Sequence, residues 1–125
     1  MATVIKMTSV GSGLVTAAMA ASDSKYLGWG TGTTAAAATD TALETPAAEA
    51  RTTGTQSQQT TDHTNDTYQV VGTITCAGAG KTISEVGVFD ASTSGNLYGR
   101  ATFTGQALDV DDAISFTFKI KHDHS

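Results

Sequence analysis

Residues 113–121 alternate without a break. Ile114, Phe116, Phe118 and Ile120 are apolar, and Ser115, Thr117, Lys119 and Lys121 are polar. A period of two sends successive side chains to opposite faces, so this segment predicts a strand with one face in a core. Three runs upstream read as strands too. Residues 67–76 put Tyr68, Val70, Ile74 and Cys76 on one face. Residues 82–90 carry Ile83, Val86, Val88 and Phe89 in mixed phase, the pattern of a strand buried on both sides. In residues 96–104, Leu97 and Phe103 share a parity with Gly99 and Ala101.

The first half is less regular. Residues 1–7 predict an extended strand anchored by Val4 and Ile5, and residues 13–21 a short packed helix that stops near Ser22-Asp23. Tyr26-Leu27-Gly28-Trp29-Gly30 reads as a strand bending at its glycines. Residues 34–41 form an alanine-rich loop with a turn at Thr39-Asp40, and Pro46 breaks the weak helical character of residues 42–49. Residues 51–61 are rich in Thr and Gln; β-branched threonines favour extension, so one long edge strand is expected. Turns fall at residues 62–66, 77–80 and 91–95, and a loop at 105–112. Seven or eight strands with turn signals every ~8–12 residues predict a mainly β protein, a single-domain β-sandwich. Long loops able to cross between sheets favour a jelly-roll-like version. An immunoglobulin-like sandwich is the alternative, without the Cys…Trp…Cys framework. Residues 1–25 are read as an N-terminal arm and short helix, and residues 26–125 as the sandwich.

Composition narrows this further. A chain of 125 residues suits one core. Hydrophobic residues make up 39% but aromatics only 6%, and residues 1–60 are the poorest in large side chains. Burial stabilises by ~25 cal/mol per Å² of apolar area, so this alanine-rich half is expected to order through contacts with other subunits. Net charge is −5, with seven scattered Lys and Arg. Wrapping nucleic acid needs a cationic face, so no nucleic-acid partner is expected; an anionic surface suits docking on a basic patch. Residues 10–21 are small and apolar behind Lys6, and Ala18-Met19-Ala20 mimics a signal-peptidase site, but Gly11, Ser12, Gly13 and Thr16 interrupt the run. Nothing approaches the ~20 apolar residues of a membrane span.

Candidate chemistry is sparse. Cys76, the sole cysteine, excludes an intrachain disulfide and reads as a small buried hydrophobe. His63 sits in a turn beside Asp62. His122-Asp123-His124 has the alternate spacing of two zinc or nickel ligands, but no third ligand is identifiable and a solvated tail is the expectation. Asp109, Asp111 and Asp112 could offer oxygens to calcium, yet lack the glycine and terminal glutamate of an EF-hand and read as a turn. Gly28-Trp29-Gly30-Thr31-Gly32 has neither the cation nor the following helix of a phosphate loop, so close packing explains it. Asn65-Asp66-Thr67 fits a glycosylation acceptor, relevant only in a eukaryotic secretory setting. Tyr26 and Trp29 are packing or interface candidates. With Tyr98 they could stack on sugars, although a single tryptophan more often belongs to a core. Glu85, inside an apolar strand, must find partners because a buried unpaired carboxylate is costly. Arg100 on the next strand is its expected partner and Arg51 the second choice, in a structural ion pair that fixes register or a subunit contact. No second catalytic carboxylate accompanies it, so neither enzymatic activity nor a cofactor is expected.

Three segments taken together carry a resemblance. They are Tyr26-Leu27-Gly28-Trp29-Gly30-Thr31-Gly32-Thr33; Thr39-Asp40-Thr41-Ala42-Leu43 with Glu49-Ala50-Arg51; and Ile83-Ser84-Glu85-Val86-Gly87-Val88-Phe89-Asp90 with Gly95-Asn96-Leu97. With the closing Asp112-Ala113-Ile114-Ser115-Phe116-Thr117-Phe118, the pattern resembles small virion β-proteins of tailed bacteriophages over residues 26–121. Size and the lack of a receptor-binding tip look most like a capsid decoration, or cement, protein. That resemblance implies a homotrimer on the outer capsid surface that bridges major capsid subunits. A tail-fibre, baseplate or other virion component is the alternative it leaves open.

Overall fold

The computed structural model describes residues 5–122. Among them, helix α1 (Ser9–Ala20) precedes seven strands: β1 (Tyr26–Gly30), β2 (Thr52–Thr53), β3 (Thr55–Gln59), β4 (Thr67–Thr75), β5 (Lys81–Phe89), β6 (Leu97–Leu108) and β7 (Ala113–Lys121). They form two antiparallel sheets ordered β2-β1-β5-β6 and β3-β4-β7. The protein is mainly β, as its periodicities predict. Its four-plus-three arrangement differs from the eight strands of a jelly roll. The strand order also differs from the ABED and CFG sheets of an immunoglobulin domain.

The core lies between the sheets. Leu27, Trp29, Val86 and Val88 of the first face Tyr68, Val70 and Ile74 of the second, all at most 4% exposed. Trp29 meets Phe116 of the opposite sheet edge-on, with ring centroids 6.4 Å apart. Such a pair adds a specific orientation to the area that it buries.

One side of the sandwich is closed by continuous chain. Residues 51–61 are not one edge strand. Thr52 and Thr53 pair with β1, whereas Thr55–Gln59 pairs with β4, so the chain changes sheets at Gly54. Only glycine fits that corner: a Cβ would lie 3.0 Å from Lys25 O and closer still to Val70 Cγ1. β6 runs four residues past its predicted end, because beyond a bulge at Ile83/Glu85 its pairing with β5 continues to Lys81 opposite Leu108. The predicted loop at 105–112 thereby shrinks to a tight turn. In it Asp109 N donates to Asp112 Oδ2 at 2.9 Å, and Asp111 adopts φ 76°.

Helix α1 starts four residues before its predicted position because Thr8 caps it, Oγ1 accepting from Gly11 N at 3.0 Å. It packs through hydroxyls as well as through the part-buried Met19 and Ala20 near its end. Ser12 and Thr16 are fully buried; Ser12 Oγ donates to His122 O at 3.1 Å and Thr16 Oγ1 to Asn65 O at 2.6 Å. These bonds seat the helix against the sandwich, on β3 and β4. Of the strand expected at 1–7, residues 1–4 lie outside the described range, and residues 5–7 have no regular secondary structure.

Candidate functional site

Strand β5 is buried on both faces. Val86 and Val88 point to the core. Glu85, Gly87 and Phe89 point outwards, opposite Gly30, Gly28 and Tyr26 of β1, and lie beneath segment 31–51. Glu85 is 0% exposed. Its Oε1 accepts from Glu44 N at 2.9 Å and Arg100 Nε at 2.9 Å, and its Oε2 from Gly32 N at 3.0 Å and Thr45 N at 2.8 Å. Four donors fill the capacity of a carboxylate. Burial by itself would raise the Glu85 pKa, but the bonds from Thr45, Arg100, Glu44 and Gly32 outweigh it and hold the group below the ordinary carboxylate value.

Arg100 is the partner placed on Glu85, with its side chain 3% exposed. It sits opposite Gly87, diagonal to Glu85 across the β5–β6 ladder. Its other two nitrogens hold the segment above: Nη1 meets Asp40 Oδ2 at 3.0 Å and Nη2 donates to Thr34 O at 2.9 Å. Asp40 also accepts from Ala37 N at 2.9 Å, and Glu44 Oε1 from Thr33 N and Thr34 N at 2.8 and 3.0 Å. One buried ion pair thus ties together strands β5 and β6 and three stretches of the segment. Arg51 lies elsewhere. Its guanidinium carbon stacks 3.4 Å from the Phe89 ring centroid, and Nη1 donates to Ala91 O and Ser94 O at 2.8 and 2.6 Å. Cation–π contact and turn closure replace the carboxylate contact expected for it.

The glycines of β1 explain how the segment approaches so closely. Thr31 N donates to Thr45 O at 2.9 Å and Ala47 N to Trp29 O at 3.0 Å, so residues 45–47 lie along β1 almost as an extra strand. A Cβ on Gly30 would clash with Thr45 O and stand 2.6 Å from Glu85 Oε2; one on Gly32 would stand 2.6 Å from Glu44 Cβ. Gly30→Ala is therefore expected to cost about 1–3 kcal/mol. Amide exchange should rise at Thr31 and Ala47 and stay unchanged in β4 and β7.

At the far end of the segment, Glu49 takes a second, partly buried ion pair. Its oxygens accept from Trp29 Nε1 at 3.0 Å and Ala77 N at 2.9 Å, and it pairs with the Lys81 ammonium. Trp29 is only 2% exposed and its indole N–H is used here, so it belongs to the core rather than to a sugar platform. Tyr26 is half-buried, with Lys25 Nζ 5.8 Å from its ring centroid. Burial opposes ionisation of Glu49, but the Ala77, Lys81 and Trp29 donors prevail and lower its pKa from 4.5 to about 2. The folded state thus holds this proton more weakly than the unfolded chain does. Its stabilisation is complete above pH 4.5 and is lost as pH falls towards about 2. The urea midpoint should drop between about pH 5 and about pH 2.5, less steeply in Glu49→Gln.

Asp66 was not singled out by sequence. It is 1% exposed and clamps the 61–66 turn, Oδ1 accepting from Thr61 N at 2.9 Å and Oδ2 from Asp62 N and His63 N, each at 3.0 Å. The one available signal was an aspartate placed directly before a strand, behind a run of polar turn residues. Cys76 is buried with Sγ 3.4 Å from Ala79 O. His122 Nε2 lies 3.0 Å from Met19 Sδ, and His124 is outside the described residues. Among the described residues, no three His, Cys, Asp or Glu converge to hold a metal ion, and no helix is long and apolar enough to cross a membrane.

The remaining feature is the open side of the sandwich, opposite the Gly54 corner. There the edge strands β6 and β7 flank a groove of about 790 Å³ lined by Gly99, Ala101, Phe116, Phe118 and Ile120. No protein-family model, curated protein or solved structure matches the chain.

Proposed function

We propose that the protein is a bacteriophage structural protein, a capsid decoration or cement protein. In this reading it binds the outer head surface as a homotrimer and stabilises the shell by bridging major capsid subunits. The observation that carries the proposal is the Glu85 hub. Three of its four bonds fasten segment 31–51 to the sheet and the fourth holds Arg100 of β6, with none directed to an open cleft. The product is a rigid layer whose outward surface at residues 33–39 is built of exposed Thr and Ala. A stiff, uncharged surface loses little conformational entropy when a partner docks. The cations also support a protein partner over nucleic acid, since Lys25, Lys81, Arg100 and Lys121 each pair with a carboxylate of the chain itself.

The test uses heads assembled from major capsid protein alone. Purified chain should co-sediment with them and raise their thermal disassembly point. Failure to bind heads, with binding to isolated tails instead, would replace this reading with the tail-fibre or baseplate one.

A further inference from the structure

Helix α1 turns Met19 and Ala20 onto the core but leaves its aliphatic Val10 and Leu14 outside, unlike a helix that packs only on its own domain. Such helices turn apolar residues inward and polar ones to water. Here Ser12 and Thr16 are fully buried, while Val10 and Leu14 are 75% and 67% exposed. The outward residues are also spaced in a definite way. Val10, Leu14, Ala17 and Ala21 follow one another at intervals of four, three and four, and all are exposed. That is the spacing of a heptad seam over fewer than two heptads, its last position being the C-cap, and it fits a second helix carrying the same spacing. Met7, three residues before Val10 and 42% exposed, extends the apolar surface past the helix start. Beside the seam runs a groove of about 500 Å³ between α1 and the turn holding Thr64 and Asn65.

We propose that α1 is a self-association helix, its seam packing against the α1 seam of a second copy of this chain about a rotational axis. Charge favours this occupant. The chain carries −5 overall, yet residues 7–22 contain no charged side chain. Two copies repel each other through most of their surface but not through this one. A charged partner would find no counter-charge on it. The helix is already formed and seated by Ser12 and Thr16, so pairing does not carry the nucleation cost that makes short free helices marginal.

The inference deepens the self-association part of the proposed function and rests on that part alone. Sedimentation equilibrium of the full chain should give a concentration-dependent oligomer for the natural sequence and a monomer for Leu14→Glu, with matching circular dichroism and thermal midpoint. Under oxidation Leu14→Cys should cross-link between chains, whereas Thr104→Cys, exposed on β6, should not. An oligomer that survives Leu14→Glu, or a Leu14→Cys chain that stays uncross-linked within an oligomer, overturns the helix seam only. A natural sequence that is monomeric throughout overturns both the seam and the homotrimer.

Discussion

Glu85→Gln is expected to destabilise the fold by about 3–5 kcal/mol, the range for breaking a buried ion pair from one side. That corresponds to a fall in the thermal midpoint of roughly 10–20 °C for a domain of this size. Glutamine keeps the shape but turns one acceptor into a donor. Whichever way the amide lies, its NH2 faces two donors: Gly32 N and Thr45 N on one side, or Glu44 N and Arg100 Nε on the other. Those groups lose their acceptor where water does not reach them. The loss should be local at first. Protease cleavage within residues 33–45 should precede global unfolding in the variant and coincide with it in the natural sequence. Unchanged stability and unchanged cleavage would show that Glu85 does not hold the segment.

The second large effect is expected at Asp66. Its carboxylate organises the 61–66 turn, and its backbone carbonyl accepts from His122 N at 2.8 Å, tying the end of β7 to the start of β4. The neighbouring Asn65 O receives the Thr16 hydroxyl, so the same turn seats α1. Asp66→Asn exchanges one charged acceptor oxygen for a donor aimed at backbone N–H groups. The thermal midpoint should fall by about 10 °C at neutral pH. Burial pulls the Asp66 pKa upwards, but the Thr61, His63, Asp62 and Thr67 donors prevail and leave it well below the usual carboxylate range. Its contribution is present above the ordinary aspartate value of 3.8 and lost on acidification below it, so the gap between variant and natural sequence should narrow in acid. A constant gap across that range would contradict the assignment.

β7 was legible to the residue because nothing interrupts its period of two between flanking turns. Glu85 and Arg100 were legible as a pair because a carboxylate within an apolar strand has few ways to be satisfied. Asp66 was not, since its donors are largely backbone N–H groups, which nearly every residue supplies and which leave no trace in composition; Glu49 was not, since its Trp29 and Lys81 donors stand far from it in sequence. Gly54 looked like one small residue in a polar run; only the pairing of its two sides with different sheets makes it a corner. The start of α1 was missed for a related reason. Its fully buried residues are Ser12 and Thr16, so a search for an inward apolar stripe finds only Met19 and Ala20, near the end of the helix.

These features share one physical theme. The ionic groups act inwards, on the chain's own backbone, while the faces turned outwards at α1 and at residues 33–39 carry little charge. That arrangement is what supports the proposed role of holding other proteins in place. The most direct test is a cryo-electron microscopy reconstruction of a native phage particle that carries this protein. The account predicts threefold density on the outside of the head, with each sandwich touching more than one major capsid subunit. Density confined to the tail, or none on the head exterior, would contradict it.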